Sequence, residues 1–284
     1  MEKLKLGYQT VRWGWGRPAK IFPQVLDEIS EAGFRAFEAN DGDVIPFLED
    51  ERGFSRMLSE RKIQMVGIVA SYIGPLLLSS LSRYFCLRRI KKLMKFAASV
   101  GCEKFVLGGP KHPAARQEIN EKLYAKFSET LNKIGKDCID LDMNASYHPH
   151  IDSIGTTIAQ LDKLLKLTDP DFMNLALDTG HFSVAGIDSL EVIKRYPNRI
   201  DLVHIKDVLG GKFVELGEGT DIDIPRIMKS LQFIGYKGWV IVEDEVLDMP
   251  PPLSLIGRTA RLPLETAKRS KKYMENLMKF DTIV

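Results

Sequence analysis

Short apolar runs alternate along the chain with longer stretches whose apolar residues are spaced by three and four, the respective marks of strand and helix. Leu4 to Gln9, Phe34 to Ala39, Ile63 to Val69, Lys104 to Leu107, Asp142 to Tyr147, Asn174 to Leu177, Ile200 to Ile205 and Trp239 to Glu243 read as eight strands. Helical periodicity falls between them, over about 21–32, 44–61, 75–100 and 115–136. It resumes at Ile158, Leu161, Leu164 and Leu165, at Ser189 to Arg195, at Ile224, Ile227, Met228 and Leu231, and from Leu264 to Met278. Asp223 with Pro225 two residues later has the form of a helix start. Strict alternation of strand and helix argues a parallel sheet covered by helices, and eight such units argue closure into a (β/α)8 TIM barrel of the α/β class. No repeat, low-complexity tract or dividing linker interrupts it, so residues 1–284 read as a single barrel domain.

In such a barrel the site lies at the carboxyl ends of the strands. Four stretches there carry metal-binding residue types: Ser146-Tyr147-His148-Pro149-His150, Leu177-Asp178-Thr179-Gly180-His181, Val203-His204-Ile205-Lys206-Asp207 and Val242-Glu243-Asp244-Glu245. A lone histidine or aspartate at a strand end is more often structural. Four such clusters at equivalent places in successive units are harder to explain as structure, and two imidazoles with two carboxylates describe one divalent-metal site. That donor set suits Mn²⁺ or Co²⁺ first, with Zn²⁺, Fe²⁺ or Mg²⁺ behind, rather than Ca²⁺, which takes oxygen ligands alone.

Other residues are candidates for substrate contact. Trp13 and Trp15, in a loop after the first strand, read as a pocket wall or as a cover over one barrel end. Glu38 alternates with Ala36 on the second strand and so points into the barrel mouth, toward substrate or behind the ligands; its bland alternative is a structural ion pair. The turn Gly108-Gly109-Pro110-Lys111-His112-Pro113 lets a ligand approach the backbone but lacks phosphate-loop spacing, leaving Lys111 and His112 as pocket candidates. The charges from Arg83 to Lys95 read as a solvated helix face.

Composition narrows the partners. With 40 basic and 38 acidic residues the formal charge is only +2, too little to drive nucleic-acid binding, and a small molecule is favoured. Cys86, Cys102 and Cys138 are odd in number, widely spaced and in apolar surroundings, so buried thiols in a reducing cytoplasm are expected. The sequence shows neither a signal-peptide core nor an apolar run of the roughly 18 residues a membrane span needs.

The tract from Met143 to Glu245 resembles the xylose-isomerase-like TIM barrels of the sugar phosphate isomerase/epimerase superfamily, and within it the inosose dehydratases. The resemblance rests on Tyr147-His148-Pro149-His150, Thr168-Asp169-Pro170, Leu177-Asp178-Thr179-Gly180-His181, His204-Ile205-Lys206-Asp207, Gly217-Glu218-Gly219 with Ile222-Asp223, and Gly235-Tyr236-Lys237-Gly238-Trp239 running into Val242-Glu243. It implies the metal ligands His148, Asp178, His204 and Glu243. Most epimerases of the superfamily carry a glutamate where His148 stands, whereas the inosose dehydratases share the Tyr-His-x-His tract, which implies dehydration. The tract after Glu243 and its proline run depart from the family pattern.

The implied chemistry is removal of the proton α to a carbonyl in a ketose or keto-inositol, giving an enediolate stabilised by the metal. Loss of a β-hydroxyl then makes a dehydratase, and reprotonation elsewhere makes a ketose 3-epimerase or an isomerase. His150, His181, Lys206 and Glu245 are the catalytic candidates. A helix-start role is the plain alternative for His181, and an ion pair with Glu243 or a neighbouring acid for Lys206. Asp207 reads as a carboxylate that orients a ligand imidazole, and Glu218 as a substrate contact. A metal- or sugar-binding barrel without catalysis and an endonuclease-IV-like nuclease are the competing classes; the latter resembles a richer, three-metal ligand set. The resemblance also allows a homo-oligomer.

Overall fold

The computed structural model describes residues 4–14, 19–71, 73–77, 79–110, 120–245 and 262–280. Eight parallel strands close a barrel: β1 (Lys5–Gln9), β2 (Ala36–Asn40), β3 (Gln64–Ala70), β4 (Lys104–Gly108), β5 (Asn144–His148), β6 (Met173–Asp178), β7 (Ile200–Ile205) and, after a short hairpin of β8 (Asp207–Leu209) and β9 (Lys212–Val214), β10 (Trp239–Val242). Around the barrel the order is β1, β10, β7, β6, β5, β4, β3, β2. The helices are α1 (Phe22–Glu31), α2 (Asp41–Val44), α3 (Glu51–Arg61), α4 (Ser80–Ser99), α5 (Glu121–Ile139), α6 (Ile158–Leu167), α7 (Thr179–Val184), α8 (Ser189–Arg195), α9 (Ile224–Phe233) and α10 (Pro263–Phe280).

Every barrel strand is covered on both faces, which is why these runs are apolar with little polar interruption. Outward residues such as Phe37, Phe105, Tyr147, Leu177, Val203 and Val240 join the helices in one large core. Inward residues Ala36, Val66, Val106, Ala176, Leu202, Trp239 and Ile241 fill the lumen. Below them the floor is polar: Lys104 pairs with Asp201 at 2.5 Å, and Ser146 donates to the same carboxylate. Two residues beyond Ser146, Ala176, Leu202 and Ile241, the inward positions at the strand ends are His148, Asp178, His204 and Glu243.

The helices begin where polar side chains accept an otherwise unpaired N–H. Asp50, Ser79, Asn120, Thr157, Asp188 and Asp223 do so for α3, α4, α5, α6, α8 and α9. α10 returns to the barrel mouth and is bolted there by Asp244, which accepts from Tyr8, from Ser270 and from Leu216 N.

Three expectations about elements change. The helix predicted over 44–61 starts only at Glu51, as α3 with Asp50 as its cap; before it come the short α2 and a 3-10 turn at Ile45–Phe47, where Pro46 has no N–H to donate to a longer helix. The 75–100 helix starts at Ser80, after a separate turn at Gly74–Leu77. The β8–β9 hairpin is unforeseen; its two-residue turn Gly210-Gly211 takes positive φ at both positions (59° and 74°), which glycine alone adopts without strain. Among the described residues no helix is long and apolar enough to cross a membrane. All three cysteines are buried and none forms a disulfide, as their apolar settings imply.

Candidate metal centre

The strands that carry the four motifs, β5, β6, β7 and β10, are contiguous in the barrel wall. Side chains on a strand alternate in direction, so Ser146/His148, Ala176/Asp178, Leu202/His204 and Ile241/Glu243 all point inward, with the second of each pair at the mouth. Pairing then levels them: Asp178 is in register with His204, and His204 with Ile241.

The result is a cluster of His148, Asp178, His204 and Glu243, each almost wholly buried, in which one ligand atom from each lies within 4.8 Å of the others. His204 Nδ1 is 3.0 Å from Glu243 Oε2 and 3.8 Å from Asp178 Oδ2, and His148 Nε2 is 3.6 Å from Asp178 Oδ2. Among the described residues these four atoms have no aligned hydrogen-bond partner. A buried polar atom left so costs about 1–3 kcal/mol, and four of them facing one point are what a cation would satisfy. Bonds of about 2.0–2.2 Å to one ion hold ligand atoms roughly 3–4.4 Å apart, a range that contains the three separations above. The donor set therefore fits a divalent metal.

The two carboxylates are held from behind. Asp178 caps α7: its Oδ1 accepts from His181 N at 2.7 Å, leaving Oδ2 to the site. Glu243 divides its oxygens in the same way, Oε2 toward His204 and Oε1 to Lys206 Nζ at 3.0 Å. Burial keeps the His148 ring neutral, with its pKa pushed well down, as a metal ligand requires. Burial pushes Asp178 up to about 6 against the pull of the Lys206 ammonium. For Glu243 burial pushes upward too, but Lys206 and His204 outweigh it and hold the carboxyl well below its usual range. Burial disfavours a charged His204, yet the carboxylates of Glu38 and Glu243 prevail and raise it to about 10.

That last shift predicts a pH dependence. In the metal-free protein His204 gains protons on folding relative to an ordinary imidazole near 6.5, so its contribution to stability is complete below about 6.5 and fades as pH rises through about 10. An incoming metal has to displace the Nδ1 proton. Metal affinity should therefore rise with pH from about 6 to 10, and titration calorimetry at pH 7 in buffers of different ionisation enthalpy should count close to one proton released from this ring per ion bound. Affinity independent of pH would contradict the ligand assignment.

Around the four candidate ligands stands a connected group of titratable side chains. Lys206 Nζ lies 2.6 Å from Glu245 Oε2, 3.5 Å from Asp178 Oδ2 and 3.1 Å from His181 Nε2. Despite full burial, which opposes its charge, Asp178, Glu243 and Glu245 raise its pKa. The His181 ring is 4.7 Å from that of His150, which is 4.5 Å from that of His148. Ring nitrogens of His148, His150 and His181 also come within 4.8 Å of one another. His181, however, has both nitrogens engaged within the protein, Nδ1 accepting from Ile151 N at 3.3 Å and Nε2 facing Lys206. Gly180 is required for this packing: a Cβ there would stand 2.6 Å from Lys206 Cβ.

The structure redistributes several candidates. Glu38 is fully buried with Oε2 2.8 Å from His204 Nε2, behind the ligand and away from any substrate position at the mouth. Asp207 does not orient an imidazole; it accepts from Val208 N, Gly217 N and Gly219 N and so shapes the Gly-Glu-Gly loop. Glu218 is turned outward to Arg269 on α10 at 2.9 Å, because the loop is tied to that helix. Trp13 packs edge-on against Tyr8 and donates to Glu28 on α1 at 2.6 Å, which makes it a wall of the barrel end. Trp15, Lys111 and His112 lie outside the described residues. Phe213 on β9 is a site residue that sequence reading missed: its ring lies 4.8 Å from Lys206 Nζ and 5.2 Å, edge to face, from the ring of His181. A Gly-Gly turn flanked by apolar residues was the available signal.

Known proteins resemble this chain in sequence and in fold. The chain is 27% identical over 285 residues to an inosose dehydratase from Geobacillus kaustophilus, covering 90% of this chain and 87% of that protein. It is 26% identical to an inosose dehydratase from Mesomycoplasma hyopneumoniae, with 98% and 97% covered. Among solved structures an L-ribulose 3-epimerase shares the fold at a TM-score of 0.81 and 16% identity, covering 99% of this chain and 95% of that one. The profile of one family matches residues 26–273, and with the closed barrel and its strand-end cluster this establishes that the chain belongs to the xylose isomerase-like TIM barrel family.

Proposed function

We propose that this chain is a divalent-metal-dependent enzyme that removes water from a small polyhydroxy ketone, a keto-inositol or ketose, as its inosose dehydratase relatives are named for doing. One observation carries the reading: two imidazoles and two carboxylates converge on a point, and His150, His181, Lys206 and Glu245 stand beside it as one linked set of proton carriers.

A divalent ion held by His148, Asp178, His204 and Glu243 would supply Lewis acidity toward a carbonyl oxygen and its neighbouring hydroxyl. The side chains account for the proton movements. Dehydration needs one group to take the α-proton and another to protonate the departing β-hydroxyl. Glu245 and the imidazole of His150 can accept, while Lys206, kept charged by its carboxylates, can donate. The 3.1 Å contact of Lys206 with His181 offers a route by which the proton is replaced. Epimerisation instead needs separate proton carriers on opposite faces of one carbon, whereas these four groups form one connected patch. The small net charge supports a small substrate over nucleic acid, and the buried thiols suit a reducing compartment, the cytoplasm.

The test is solvent-deuterium exchange into 2-keto-myo-inositol and a panel of ketoses, using metal-stripped protein and protein restored with Mn²⁺ or Co²⁺, read by mass spectrometry and NMR. Metal-dependent exchange with loss of water is the expected result. Exchange with mass otherwise conserved would mean an epimerase or isomerase, and no exchange with any substrate would mean a barrel that binds without catalysing.

A further inference from the structure

Glu38 is a fully buried carboxylate to which the chemistry above gives no part. It occupies the inward position between Ala36 and Asn40 on β2, and β1 and β10 separate that strand from β7 along the wall. Glu38 therefore meets His204 across the lumen, with Oε2 2.8 Å from Nε2. Neither of its oxygens has an aligned hydrogen-bond donor among the described residues. Gly67 makes room for it: a Cβ there would stand 3.3 Å from Glu38 Oε1 and 3.2 Å from Lys104 Cβ. Burying a carboxylate is costly unless a partner returns the energy, and the partner in reach is one ring nitrogen of His204. The other ring nitrogen is the one that faces Asp178 and Glu243.

An imidazole that ligates a metal through one nitrogen carries its proton on the other, and a carboxylate accepting that N–H fixes both the tautomer and the angle of the ring. We infer that Glu38 is a positioning residue for metal binding, accepting the Nε2–H of His204 so that the Nδ1 lone pair is aimed between Asp178 and Glu243. The inference rests on the four-residue metal site proposed above. A purely space-filling Glu38 would be served as well by a neutral side chain of its size, and that difference is testable.

Glu38→Ala and Glu38→Gln are titrated with Mn²⁺ and Co²⁺ in competition with a fluorescent chelator, with thermal melting as the control for folding. Affinity should fall about 10–100-fold in Glu38→Ala, and less in Glu38→Gln, whose amide oxygen still accepts from Nε2–H. In Zn²⁺-loaded parent protein the Nε2 proton of His204 should appear as a slowly exchanging downfield resonance, move upfield in Glu38→Gln and disappear in Glu38→Ala. Folded Glu38→Gln with parent affinity and an unshifted resonance would overturn the inference even if the alanine variant did not fold. A parent protein that binds none of these ions would overturn the metal site itself, and this inference with it.

Discussion

Asp178→Asn should lose divalent-metal binding and turnover together while the barrel stays folded. The substitution is nearly isosteric and leaves an oxygen to accept from His181 N, so the start of α7 survives. What it removes is the charge on Oδ2, the atom that faces both His148 and His204. Metal affinity should drop by more than the roughly 10–100-fold typical of changes behind a metal site, because here a ligand itself is altered. Stability should not follow. Burial lifts the Asp178 pKa from about 3.9 to about 6, so folding costs about 2–3 kcal/mol once the pH is above both values, and little when the group is protonated below about 4. The neutral amide escapes that cost, and metal-free Asp178→Asn should melt no lower than the parent at pH 7. Metal content after dialysis and melting curves with and without Mn²⁺ decide the matter; a variant that kept its metal and full activity would sink the assignment.

Lys206→Met should give the opposite pattern, with metal retained and turnover lost. The ammonium shares Glu243 with the proposed ion and lies near Asp178, so its removal frees both carboxylates for the metal, and affinity should rise. The rate should fall by about 10²–10⁴, the usual worth of a general acid or base. Without metal the variant is left with clustered buried carboxylates and no ammonium between them, which should cost about 3–5 kcal/mol. Added Mn²⁺ or Co²⁺ should restore much of that, so the metal-induced rise in melting temperature should be larger than in the parent. Normal turnover in this variant would exclude Lys206 from the chemistry, and loss of metal would show that it supports the ligands instead.

These contrasting expectations come from neighbouring strands: Asp178 is the last residue of β6, and Lys206 follows β7 directly, two residues beyond His204. His204 and Lys206 share the inward face of the wall because side-chain direction repeats every second residue. The same local rule made His148, Asp178 and Glu243 legible as mouth residues once the strands were recognised. It says nothing about loops. Glu218 and Trp13, both reasonable pocket residues by type, are claimed by Arg269 and Glu28, partners distant in sequence or on another element. Asp207, one residue from Lys206, has the opposite parity and organises backbone N–H groups of its own loop instead of a ligand.

By itself, then, the sequence determined the parallel barrel and the four motifs at its strand ends, because periodicity and strand parity are properties of neighbouring residues. Tertiary structure alone decided what closure brings face to face: Glu38 with His204 across the lumen, Lys206 among Asp178, Glu243 and Glu245, and Phe213 over Lys206 through an unforeseen hairpin. Those contacts join strands and loops far apart in the chain, and their distances follow from the stagger and packing of the closed sheet, which no local pattern encodes.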